Sequence, residues 1–252
     1  MIMKNGSFFK HALQFTISLS LFFISSHNTK AYNLNKMVFG DMDSLFVDLG
    51  LSVKWAKCNL GARTPFESGQ YYAWGDSLSF PTKHIYNEES YIWYSGRDTI
   101  VHDFINIPLM IKYGSKNDPY NTLTETKTTL DKTDDPATIL LGPPWRTPSS
   151  DELQELIECC IWTYCTIKGV SGYKVMSRDS NNYIFLPTSG FVVDSEIKGK
   201  HIGYYWSNTL SDASMGANML FISHSIYGED KICVQGELRW LGLNIRPVYD
   251  DE

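Results

Sequence analysis

From Leu153 onward, the apolar residues Leu153, Leu156, Ile157, Cys160 and Ile161 fall at i, i+3, i+4, i+7 and i+8. That spacing draws one continuous stripe along a helix and predicts a helix from about Ser150 to Cys160, lying flat on a core. Ser149 stands where an N-cap is needed and Glu152 follows three residues later, which is the capping-box pattern. Asp151 and Glu152 also place negative charge at the positive end of the helix dipole. Elsewhere the period is two. In SVKWAKC (52–58), Val53 and Trp55 share one face while Lys54 and Ala56 share the other, as in a half-buried strand. LFVDLG (45–50), YYAWGD (71–76), GYYWSN (203–208), NMLFISH (218–224), KICVQ (231–235) and LGLNIRPVYD (241–250) carry the same β-branched and aromatic enrichment. YKVMS (173–177) and YIFLP (183–187) flank the polar run RDSNN, which predicts a hairpin.

Residues 77–138 break the pattern. Pro81, Gly96, Pro108, Gly114, Pro119 and Pro136 punctuate them, and the run VHDFINIPLMIKYG (101–114) reads as a short helix or strand. A connection this long without regular structure tends to carry function. Its aromatics Tyr86, Tyr91, Trp93 and Tyr94 admit two readings. They form a stacking platform for a sugar or an anchor for a protein partner, or they bury one another as the local core of the excursion. Asp134 and Asp135, just ahead of Pro136, read as turn or cap residues. As paired acids for sugar cleavage they would need carboxyls roughly 5–10 Å apart.

The N-terminus has the layout of an export signal. Lys4, Lys10 and His11 precede the apolar run Ala12–Ser26, which is shorter than the roughly 20 residues a membrane-spanning helix requires. Thr29 and Ala31 supply small residues for cleavage after Ala31, with Ser26 the next choice. The expected organisation is a signal peptide over 1–31, a short segment over 32–44, and a single domain over 45–250 with an insertion at about 77–138. No second apolar run is long enough to span a bilayer, so a secreted, periplasmic or cell-surface location is expected. The net charge of −6, with no cluster of Lys and Arg, argues against a nucleic-acid partner.

Five cysteines, at 58, 159, 160, 165 and 233, leave at least one unpaired within the chain. No C-x-x-C pair occurs and no histidine lies near them in sequence, so a structural zinc site is not expected. G-x-S-x-G, H-E-x-x-H, G-x-G-x-x-G and the Walker A pattern are absent, and no cofactor, metal or catalytic residue is assigned. His224 reads as a strand residue rather than a base.

Several segments together resemble a family. VDLGLSVKWAKCNLGA (47–62), ESGQYYAWGD (67–76), WRTPSSDELQELIECCIW (145–162), GVSGYKV (169–175), NYIFLPTSGF (182–191), GYYWSN (203–208) and NIRPV (244–248) follow, in order, the motifs of the Fibrobacter succinogenes major paralogous (FISUMP) domain and its DUF1566-like relatives, abundant in secreted proteins of Bacteroidetes. The resemblance implies an α+β, C-type-lectin-like fold: a twisted antiparallel sheet, about two helices and long loops. It implies that Trp74 and Trp206 belong to the core and that Trp145 wedges the helix start into it. Arg146 would satisfy loop carbonyls, while Pro143, Pro144 and Pro148 stiffen the corner. Cys58 and Cys160 fall on family cysteine positions, which implies a bridge between them. The family usually has glycines where Pro143 and Pro144 stand. The Glu-Pro-Asn calcium motif of C-type lectins is missing, and WSNT (206–209) only brushes its partner motif. The function implied is a non-enzymatic binding or adhesion module for an extracellular glycan or protein. An extracellular glycan-active enzyme and a structural subunit of a surface assembly are the alternatives.

Overall fold

The stripe beginning at Leu153 does form a helix, and its cap is the one the sequence predicts. In the computed structural model, which describes residues 45–80, 85–100 and 106–250, two helices are present: α1 (Pro136–Leu141) and α2 (Ser150–Cys159). The Glu152 N–H donates to Ser149 Oγ at 3.1 Å and the Ser149 N–H donates to Glu152 Oε2 at 2.8 Å. Leu153 and Leu156 are buried, Ile157 packs half-buried beside them, and Cys160 closes the stripe. Ile161 departs from expectation. The chain leaves the helix at Cys160 and runs straight into a strand, so Ile161 points to solvent. No helix among the described residues is long and apolar enough to cross a membrane. The expected signal peptide and the 32–44 segment lie outside the described residues.

Strands dominate. In chain order they are β1 (Phe46–Val47), β2 (Lys54–Ala56), β3 (Tyr71–Tyr72), β4 (Ser79–Phe80), β5 (Tyr94–Ile100), β6 (Asn106–Met110), β7 (Trp145–Arg146) and β8 (Cys160–Ile167). Then follow β9 (Val170–Ser177), β10 (Tyr183–Pro187), β11 (Phe191–Val193), β12 (Glu196–Lys198), β13 (Ile202–Leu210), β14 (Gly216–His224), β15 (Asp230–Leu238) and β16 (Val248–Tyr249). Every strand pairing is antiparallel. The class is therefore α+β and sheet-rich. β8, β9 and β10 form one meander and β13, β14 and β15 another, while a small sheet in the order β1-β2-β16-β7 joins the start of the unit to its end. Phe46–Glu252 cluster as one compact unit.

β14, the middle strand of the β13–β15 sheet, is buried on both faces, which explains why it reads as a nearly continuous apolar run. Successive side chains on a strand point to opposite sides. Leu220 and Ile222 join Leu153, Leu156, Tyr173 and Val175 on the α2 side. Ala217 and Met219 join Trp74, Trp206, Tyr72 and Leu243 on the other. Trp206 and Trp74 both spend their N–H on the main chain, Trp206 on the Tyr72 carbonyl and Trp74 on the Ser207 carbonyl, both at 2.8 Å. Trp206 thus takes the core position expected of it. The chain ends converge on a corner where Trp145 and Phe46 both pack against Tyr249, at 5.0 and 4.9 Å between ring centroids.

Candidate functional site

The four aromatics of the excursion do not form a common platform. The Tyr86 backbone pairs in both directions with Asp194, at 2.8 Å each way, and this pins the excursion onto the body. Tyr86 and Tyr91 then sink into the core, at 0% and 3% exposure, with hydroxyls donating to the carbonyls of Tyr71 and Trp74. Neither can stack on a ligand. Trp93 is half-buried and meets Tyr113 edge-on at 5.9 Å, with its Nε1 buried and unpartnered. Tyr94, on β5, packs half-buried against the same core, and the hydrogen bond its hydroxyl donates to Asp98 pushes that hydroxyl up to about 12.

Beneath these rings lies Arg239, a fully buried cation. Its Cζ stands 5.6 Å from the ring centroids of both Trp74 and Tyr91, and Nη1 donates to the carbonyls of Lys112 and Tyr113. Nε and Nη2 have no hydrogen-bond partner among the described residues. Burial pulls the guanidinium below its ordinary range, against which the aromatic faces supply favourable charge. Outside Arg239, Lys112 Nζ meets Asp134 at 2.5 Å and Asp131 at 3.3 Å, and the Tyr113 hydroxyl donates to Asp134. Asp135 is buried and caps α1 through the Ala137 N–H, while also accepting from the N–H and hydroxyl of Thr147. Asp134 is therefore committed to a lysine and a tyrosine, and Asp135 to main-chain donors and a threonine. Among the described residues, no group of three or more His, Cys, Asp or Glu is placed to hold a metal ion.

The corner at Trp145 and Arg146 differs in chemistry from expectation. Arg146 forks onto Glu152, at 2.8 and 2.6 Å, and reaches Asp250 at 2.9 Å; among the described residues its only carbonyl contact is Thr147 at 3.4 Å. A charged partner on each side outcompetes neutral carbonyls for the guanidinium. Glu152 so holds the helix cap and the arginine at once, and this pairing drives the Arg146 pKa upward. The Cys58–Cys160 bridge is not formed: all five cysteines are free thiols. Cys160 lies against the α2 core, where burial pushes its thiol up to about 11. Exposed Cys159 is therefore expected to alkylate first with iodoacetamide at pH 8. Cys160 should follow more slowly, because burial keeps its thiolate fraction small and shields the sulfur from the reagent. Fragment mass spectrometry of the 150–160 peptide resolves the two.

A different cluster stands at the far end of the second meander; of its members His224 alone stood out in the sequence, as a strand residue, which is where it lies. His224, the last residue of β14, places Nδ1 2.6 Å from Asp230 Oδ1 and stacks on Tyr164 at 4.1 Å with an interplanar angle of 9°. The Tyr173 hydroxyl also reaches Asp230, at 2.6 Å. Burial pushes the Asp230 carboxyl up, but Tyr173 and His224 together outweigh it and the net shift is downward. These groups clamp the base of the β14–β15 turn. In the turn, Ser225 Oγ accepts from the N–H groups of Tyr227 and Glu229, and Gly228 takes the positive φ of 82° that closes it. The tip then presents Ile226 at 93% exposure and Tyr227 at 86%. Turn residues are ordinarily small or polar, so SIYGED between two strand patterns was the available signal. For Arg239 and Arg246 the signal was an arginine embedded in the apolar run LRWLGLNIRPV. Comparison with protein-family models, with curated proteins and with solved structures finds no match for this chain.

Proposed function

We propose that the protein is an exported binding or adhesion module of the FISUMP type, on a C-type-lectin-like scaffold, that engages an extracellular partner through the tip of the β14–β15 hairpin. The observation that carries the reading is the pair Ile226 and Tyr227, held in solvent by a hydrogen-bonded turn. Exposed apolar residues are common singly; two adjacent ones on a braced convex tip suit insertion into a complementary groove. A convex tip favours a protein groove over a glycan, which asks for a flat ring to stack upon. The signal-like segment over 1–31 supports a secreted, periplasmic or cell-surface location. The glycan-active alternative loses its best pair of acids, because Asp135 is buried under main-chain donors.

A photo-crosslinking amino acid at position 227, activated on cells that export the protein, is expected to give a discrete protein adduct that Ile226→Ser abolishes. The variant should melt as the parent does. A glycan array run in parallel should stay blank. No adduct, or an adduct indifferent to Ile226, overturns the reading.

A further inference from the structure

The two edges of the β13–β15 sheet are treated differently. The outer edge of β13 is occupied: Leu130 N–H donates to Asn208 O, Leu210 N–H to Thr128 O, and Trp206 N–H to Asn244 O. On the other side β15 has one neighbour among the described strands, β14, and its far edge carries no backbone partner among them. Proteins ordinarily blunt such an edge with a proline, a bulge, a very short strand or charged side chains. β15 has the charges, at Asp230, Lys231 and Glu237, and none of the others. It runs nine residues, Asp230–Leu238, without proline, and its register with β14 is unbroken from Gly216–Leu238 to His224–Asp230, whereas β13 is interrupted between Trp206 and Leu210.

We propose that this edge is an interface for a second copy of the chain, the two β15 strands pairing antiparallel about Val234 to make one six-stranded sheet. The charges select that register. A two-fold centred on Val234 sets Lys231 opposite the partner's Glu237, and by symmetry does so twice. Moving the centre to Cys233 sets Glu229 opposite the partner's Glu237. Moving it to Gln235 carries Lys231 past the end of the partner's strand at Leu238, so both Lys231–Glu237 pairs are lost. The first neighbouring register brings like charges together, which is destabilising across strands, and the second forfeits the attractive pairs. Lys231 is exposed and lies over the Phe221 ring, 5.0 Å from its centroid, so its ammonium stands at the sheet surface. Half-buried Ile232 and Val234 lie in the same strand, against the α2 core. This inference stands apart from the hairpin-tip reading.

Sedimentation equilibrium of the protein should show a concentration-dependent dimer. Lys231→Glu and Glu237→Lys alone should each weaken it by about tenfold, as two cross-strand pairs turn from attractive to repulsive, and the double exchange should restore it. In a Cys233→Ser background, Val234→Cys should yield a covalent dimer on oxidation, because opposed Cα atoms lie about 4.5–5.5 Å apart in such a pair, within disulfide reach. Gln235→Cys should not. A protein that stays monomeric to roughly 100 µM, a dimer indifferent to both charge reversals, or linkage through 235 in place of 234 overturns the proposal. Circular dichroism of each variant identifies loss of fold, and the Val234→Cys result decides the matter should a charge variant fail that control.

Discussion

Arg246→Met is expected to remove about 4 kcal/mol of stability and to lower the thermal midpoint by about 10 °C. Arg246 is 1% exposed and, among the described residues, has no carboxylate partner in reach of a hydrogen bond; there it is held by four oxygens instead. Nε donates to Asn59 Oδ1 at 2.8 Å, Nη1 to the carbonyls of Ala56 and Lys57, and Nη2 to the carbonyl of Phe185 at 2.7 Å. These groups belong to the end of β2, to the loop after it and to β10, so one side chain fastens the start of the unit to the middle of the chain. Methionine fills similar volume and gains roughly 2 kcal/mol of apolar burial. It leaves as many as four buried acceptors without a donor, each costing about 1–3 kcal/mol. The unmet acceptors win. Arg246→Lys should fall between, since three rotatable donors on a point cannot span acceptors arranged around a planar fork. Calorimetry checks the order; a methionine variant melting within about 2 °C of the parent would show that Arg246 is a bystander.

Asp135→Ala should cost about 3 kcal/mol, and Asp134→Ala under about 1 kcal/mol. The two acids are neighbours in sequence and opposite in environment. Asp135 is buried and accepts from the Ala137 and Thr147 N–H groups and from the hydroxyls of Thr147 and Thr138. Its removal uncaps α1 and strands the Thr147 amide beside β7. Asp134 trades with Lys112 at a partly open surface, where an ion pair is worth little. Asp135→Asn should recover part of the loss, because an amide oxygen still accepts on one side. Urea unfolding midpoints at pH 7 measure all three. A pair of catalytic acids would behave the other way: both alanine variants would lose turnover of a glycan while keeping the parent's midpoint.

The elements that were legible in the sequence are those whose signals are local. Ser149, Glu152 and the stripe from Leu153 lie within a dozen residues and locate α2 to within a residue at its far end. RDSNN likewise marks the β9–β10 hairpin, which pairs Tyr183 with Met176 through Pro187 with Gly172. The immediate passage from α2 into β8 was not legible, because neither glycine nor proline separates the two and Ile161 suits either period. The fate of the excursion was illegible for a different reason. Tyr86 is buried by a bridge to Asp194, and Arg239 by contacts with Trp74, Tyr91 and the 112–113 backbone. Such pairings across more than a hundred residues leave no periodic trace. The hairpin tip was visible as two large apolar residues in a turn, yet only the structure reveals how fully Ile226 and Tyr227 stand in water.

The four-stranded corner has a mechanical side. Phe46 opposes Ala56 at one end of β2, whereas Tyr249 opposes Lys54 at the other. The chain therefore departs β1 and β16 at opposite ends of the patch, along the strand direction. Tension applied between those two points slides β1 and β16 lengthwise past β2, straining their cross-links together and not one after another. A tethered molecule stretched this way would resist as a lap joint does, and its yield point would lie in the contacts of Trp55 and Val248.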